Sequence, residues 1–376
     1  AARSLLAVPA MWLALSLAVA GLVSELAQSG AGLAPRLAEQ AAPLVAAALI
    51  AAHASERGRW RGLVAGALAG GVVALGIALG GYALDLARGT SLFSSSGAHP
   101  IFDGLPRLVG TFGGAAQRAG SFAVYLLALS FAAGDALPRF ARHVCAALSL
   151  AALALSMSFA WLGGALFLAF RAPARLRPFA LGLVVLATLC AGVPLLRGPP
   201  SARLAGDCAE LDAEHYLVVP IVRSQCLRLS EGGRAITRYA EAKRAAFEAV
   251  REAPLFGVGY RGFSDFTARV FRDKYAQHGE HYEQPHGLVP GLFGKHGLLG
   301  ALLVPLWLVL LYRGWQGSAF DHAVVAFLLI GVFIDVDRLR ELWVLWGFLA
   351  GRGGGGARDE ERGEGAQSVA YPPAGQ

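Results

Sequence analysis

The chain has 376 residues, 55% of them hydrophobic and only 16% charged, with a mean hydropathy of +0.51 and a formal net charge of +7. The apolar residues come in blocks rather than alternating with polar ones, which excludes an ordinary soluble domain and describes a polytopic membrane protein. The arginines are dispersed over short connections instead of forming one stripe, so the positive charge reports topology and no nucleic-acid partner is expected.

Taken in chain order, membrane spans are expected at residues 5–27, 38–54, 61–84, 119–135, 141–157, 159–170, 178–196, 288–311, 319–335 and 338–351, about ten in all. The first apolar run continues as a full span, with no signal-peptide cleavage site evident. Cytoplasmic loops collect Lys and Arg, and here every second connection is basic: Arg57, Arg59 and Arg61, then Arg139 and Arg142, then Arg171, Arg175 and Arg177. Counting onward places Arg313 and Arg352 inside as well, and leaves residues 85–118 and 197–287 outside. The expected division is therefore N-terminal transmembrane helices over 1–196, a large external loop over 197–287, C-terminal transmembrane helices over 288–351, and a disordered cytoplasmic tail over 352–376. Gly66 with Gly70, and Gly76 with Gly80, have the small-xxx-small spacing that lets helices approach closely in lipid, so these are expected at bundle contacts. Ionisable residues within the spans are few.

Cys145 and Cys190 lie in apolar spans, whereas Cys208 and Cys226 share the external loop. On an oxidising side the second pair is a candidate disulfide; two unrelated thiols is the alternative.

In the external loop, residues 230–253 carry Ile236, Tyr239, Ala242, Ala246, Phe247 and Val250 at helical spacing, with Arg234, Arg238, Lys243 and Arg244 among glutamates on the other face. Pro254 ends this helix, and Gly257 and Gly259 permit a tight turn. Without a preceding strand, that Gly-x-Gly is not a dinucleotide fingerprint. His278, His281 and His286 follow, interleaved with Glu280, Tyr282 and Glu283. Three readings stand side by side: a zinc site, for which the ligand spacing is loose; a single histidine acting as a base beside Pro285; and an interfacial histidine without a chemical role.

His286-Gly287, nine further residues and then Gly297-Leu-Leu-Gly300 resemble the His-Asn/Ser/Gln, nine-residue spacer, Gly-x-x-Gly signature of the bacterial O-antigen ligase superfamily. Pro254-Leu-Phe-Gly257-Val-Gly259 is similar to the Pro-x-x-Gly-x-Gly stretch that precedes it there, Gly110-Thr-Phe-Gly113 to the family's Gly-Thr-Phe motif, and Asp337-Arg-Leu-Arg-Glu-Leu-Trp343 to its Arg-x-x-Trp ending. Two positions depart from the pattern. Gly287 replaces the amide or hydroxyl residue after the histidine, and Phe159 in Ser156-Met-Ser158-Phe159 replaces an arginine, for which Arg107 or Arg118 is a candidate substitute.

The resemblance implies an all-α, GT-C-like bundle in the bacterial inner membrane with its site facing the periplasm. It implies an inverting glycosyltransferase, without metal or other cofactor, that moves a glycan from undecaprenyl diphosphate to a hydroxyl acceptor such as a lipid A core sugar. In that scheme His286 acts on the acceptor hydroxyl, and arginines hold the diphosphate, for which their bidentate fork is suited. Arg238, sixteen residues before Pro254, is the first candidate, with Arg234, Arg338 and Arg340 after it. A polysaccharide polymerase or a protein O-oligosaccharyltransferase of the same superfamily would share the donor and the histidine. From different classes come a lipid-linked glycan transporter and a membrane metallohydrolase using His278, Glu280 and His281.

Overall fold

The computed structural model describes residues 9–27, 33–55, 59–98, 106–112, 116–133, 137–156, 158, 160–171, 177–178, 181–182, 245–274, 285, 287–331 and 340–353. These are mostly helical. In lipid an isolated segment has no water to satisfy its backbone, so apolar runs of this length close their hydrogen bonds internally as helices.

The helices are α1 (Pro9–Ala27), α2 (Leu33–Ala54), α3 (Arg59–Arg88), α4 (Ala116–Ala132), α5 (Arg139–Ser156), α6 (Ala160–Arg171), α7 (Tyr260–Lys274), α8 (Leu288–Gly314), α9 (Ala319–Ile330) and α10 (Arg340–Gly353). Residues 245–252 add a further helical stretch. Five helices, α1, α2, α3, α5 and α8, are long and apolar enough to cross a membrane, and α6 and α9 supply shorter apolar ones. The chain is thus a helical membrane protein. Of the expected spans, 178–196 lies almost wholly outside the described residues, and of the expected helix 230–253 only 245–252 is described.

Helix α4 is the most enclosed element: Ala119, Ala123, Val124 and Leu126 through Leu129 are all buried, with α5, α6 and α9 packed around it. Helices α1 and α8 run antiparallel, with Trp307 Nε1 donating to Ser16 Oγ at 3.1 Å and Gly314 lying against Pro9. An aromatic edge joins α8 to α10: Trp346 of α10 meets Trp307 of α8 in a T-shaped contact and Trp343 of its own helix in another.

The paired-glycine expectation on α3 is corrected. Among the described residues, a methyl group added at Gly66, Gly70, Gly76 or Gly80 would meet nothing within 4 Å, whereas one at Gly71 would collide with Leu126 and one at Gly81 with Phe93. The close approaches lie one residue on, because α3 presents its Gly71 face to α4 and leaves the x-x-x-small stripe outward with Val73 and Ile77.

A small antiparallel hairpin, β1 (Ser94–Ala98) and β2 (Pro106–Leu108), caps the end of α3. Asp85 in the last turn of α3 accepts from Thr90 Oγ1, Phe93 N and Ser94 Oγ, and Tyr82 donates to the Pro106 carbonyl. One carboxylate therefore organises the loop that follows the helix.

Candidate functional site: a broken helix filled by a glycine loop

Helix α8 is not straight. Gly297 sits at φ 60°, ψ −140°, a conformation essentially reserved for glycine, and splits the helix into a first part over 288–296 and a second over 298–314. A break of this kind strands the backbone groups that would have bonded across it: the carbonyls of Gly294 and Lys295 and the amides of Leu298 and Leu299. All four are satisfied by the loop after residues 245–252. Val258 N donates to Gly294 O at 3.1 Å and Gly259 N to Lys295 O at 2.9 Å, while Leu298 N donates to Pro254 O at 2.8 Å and Leu299 N to Leu255 O at 3.2 Å.

The geometry accounts for the glycines in both motifs. Gly257 (φ 65°) lies so close to the break that a Cβ would meet the Lys295 carbonyl carbon at 2.3 Å, and one on Gly297 would meet Pro254 O at 2.6 Å. The sharp turn also brings the Leu292 carbonyl against Gly300, where a Cβ would lie 1.9 Å from its oxygen. Along an unbroken helix those residues would stand about 12 Å apart. Pro-x-x-Gly-x-Gly and Gly-x-x-Gly are thus two halves of one joint.

Around the joint is a buried polar cluster. Glu25, near the end of α1, is 2% exposed, and its Oε1 accepts from Tyr260 N at 2.9 Å. Its neighbour Ser24 bonds His296 Nδ1 at 2.9 Å. Lys295, 1% exposed, holds its ammonium 4.6 Å from the centre of the Tyr260 ring, and His296 meets the same ring edge-on at 5.3 Å. A cation over an aromatic face and an acid at a helix N-terminus are both favourable placements for charge taken out of water.

Of the residues singled out in the sequence, Pro254, Gly257, Gly259, Gly297 and Gly300 are brought together in this joint. His286, Arg234, Arg238, Arg338, His278, Glu280, His281, Cys208 and Cys226 lie outside the described residues. The two neighbours of His286 in sequence, Pro285 and Gly287, are both buried, and Leu288 N donates to Gly331 O, fixing the head of α8 to the end of α9. Arg340 is exposed at the start of α10, where it and Arg118 both act electrostatically on Glu341. Arg107 is half-buried and its Nε donates to Ser156 O at 2.9 Å, so the hairpin after α3 delivers a guanidinium to the end of α5, three residues before position 159 in the sequence. Ser156 and Ser158 in turn pack over Gly120 of α4. Among the described residues no group of three or more His, Cys, Asp or Glu is placed to hold a metal ion.

Sequence reasoning missed Ser24, Glu25, Tyr260, Lys295 and His296. The signal was present in three of them: an acid inside the first span, and a Lys-His pair inside the eighth, are costly in lipid unless paired or used. No family model and no curated protein matches the sequence.

Proposed function

We propose that this protein is a glycosyltransferase of the O-antigen ligase type, with about ten spans in a GT-C-like bundle in the bacterial inner membrane and its site on the periplasmic face. It transfers a glycan from undecaprenyl diphosphate to a hydroxyl acceptor, without metal. The observation that carries the reading is the joint itself. Two motifs separated by some forty residues, each resembling the same superfamily, interlock through four backbone hydrogen bonds at the base of the half-helix that follows His286 in the sequence. That the two stretches meet in one joint supports reading them together. His286 serves the acceptor hydroxyl as base or orienting partner, and departure of the diphosphate relies on fixed cations. Arg107 is the described arginine best placed to stand in for the one replaced by Phe159. Arg238, Arg234, Arg338 and Arg340 complete the candidate set.

His286→Ala should abolish transfer from a lipid-linked donor to acceptor while leaving membrane insertion intact; full glycan attachment by that variant would remove the assignment. An acceptor that is a growing polysaccharide or a protein gives the polymerase or oligosaccharyltransferase version of the same reaction, distinguished by which surface polymer a deletion strain loses.

A second reading draws on the broken helix with ionisable residues beside it, an arrangement also used by secondary transporters at their substrate sites. A lipid-linked glycan transporter of that kind would move donor across vesicles without cleaving its diphosphate bond. Turnover of donor by purified protein separates the two.

A further inference from the structure

We infer that Glu25 is a positioning residue for the head of α8, acting with Ser24 through Tyr260 and His296; the inference rests on the transferase reading of His286.

The argument starts from the joint. A half-helix that meets its continuation at a glycine has no side chain to set its direction, so its angle is decided by what grips it near the break. Helix α1 supplies that grip with two consecutive residues. Glu25 receives Tyr260 N, a donor of the first turn of α7 that has no acceptor within its own helix, and so fixes the end of the loop that fills the break. A Cβ on Gly259 would stand 3.1 Å from Glu25 Oε1, so the glycine also makes room for the carboxylate. Ser24 directs its hydroxyl at Ala20 O at 2.8 Å, which leaves its oxygen to accept from His296 Nδ1, the last residue before the break. One side of the joint is held by Glu25 and the other by Ser24.

The far end of the half-helix is pinned separately by Leu288 N on Gly331 O. In the sequence His286 stands two residues before that pin, and the stretch whose direction Glu25 and Ser24 hold is residues 288–296, between the pin and the joint. The cluster also links three regions distant in sequence, α1, the loop and α8. A carboxylate is an expensive way to fasten helices in lipid when apolar packing would serve. Its placement at a helix N-terminus beside the break fits a demand for direction more than for cohesion.

The test uses the full-length protein in detergent or nanodiscs with a lipid-linked glycan donor. Glu25→Ala should lower kcat about tenfold or more, since small displacements of a catalytic group are costly, with KM for the donor and the stoichiometry of undecaprenyl diphosphate binding unchanged. Glu25→Gln keeps an oxygen for Tyr260 N and should recover most of the rate. Ser16→Ala removes a hydrogen bond between the same two helices far from the joint and should behave as wild type. Should Glu25→Ala not accumulate, Ser24→Ala carries the test, with a loss of several-fold in kcat at full binding stoichiometry expected. Wild-type kcat in Glu25→Ala or Ser24→Ala would overturn the proposal. So would a rate that falls only in step with binding stoichiometry, or a Glu25→Gln variant as slow as Glu25→Ala. Wild-type transfer by His286→Ala is a separate outcome that removes the transferase reading itself.

Discussion

Replacing Gly297 by alanine should destabilise the protein by about 3 to 6 kcal/mol, a sum of two terms that the geometry separates. The first is conformational: at φ 60°, ψ −140° an alanine carries a penalty of roughly 1–3 kcal/mol. The second is steric. The new methyl would lie 2.6 Å from Pro254 O, 2.7 Å from Gly257 N and 2.9 Å from the Leu255 carbonyl carbon, all of them main-chain atoms that no rotamer change can move. The loop must then withdraw from the break. Losing two or three of its four bonds to α8 at about 1 kcal/mol each supplies the remainder. Against a typical total of about 5–15 kcal/mol, this is a large fraction. Reversible unfolding in mixed micelles, followed by tryptophan fluorescence, measures it directly, and limited proteolysis should show earlier cleavage between residues 254 and 259. A change below about 1 kcal/mol, with the loop still protected, would mean that it does not fill the break as described.

The remaining predictions touch other parts of the molecule. Gly76→Ala, which meets nothing within 4 Å, should be neutral or stabilising by up to about 1 kcal/mol in the same unfolding assay; a loss of stability would show that the outward stripe of α3 is packed against something. Arg107→Ala should raise KM for the lipid-linked donor about tenfold, consistent with loss of one charge-assisted contact, with unchanged protein level. An unaltered KM would mean that the guanidinium serves the packing of its own loop, through contacts such as that to Ser156 O, and not the donor. Extensive dialysis against EDTA should leave transfer within about twofold of untreated enzyme, the scatter expected when no metal step is lost. Loss restored by added zinc would install His278, Glu280 and His281 as ligands.

The helices were legible because a run of about twenty apolar residues has one stable form in lipid. The expected boundaries of α1, α3, α5 and α10 differ from the observed ones by only a few residues. What periodicity could not supply was facing. Gly66, Gly70, Gly76 and Gly80 have the right spacing for close contact, yet Gly71 and Gly81 make it, because spacing is a property of α3 alone and contact depends on where Leu126 and Phe93 arrive. Nor did hydropathy reveal the break: Lys295-His296-Gly297 is flanked by apolar residues on both sides, so a window average runs straight across it.

The site was legible in a different way. Pro254, Gly257, Gly259, Gly297 and Gly300 could be picked out because glycine at a fixed offset records a backbone demand, and for one pair the demand proved mutual: Gly257 and Gly297 each clear space for the other segment's main chain, while Gly259 makes room for Glu25 and Gly300 for the Leu292 carbonyl. The side chains of the joint left no such record. Glu25 and Lys295 stand 270 positions apart in the chain, and Tyr260 reads simply as the aromatic that follows a Gly-x-Gly turn. Their association depends on α1 and α8 lying antiparallel in one register, which Trp307 to Ser16 and His296 to Ser24 both report. Without that register Glu25 is a lone acid at the end of a span. Within it, the carboxylate accepts from Tyr260 N beside the break in α8, so α1 is part of the joint although none of its residues belongs to a motif.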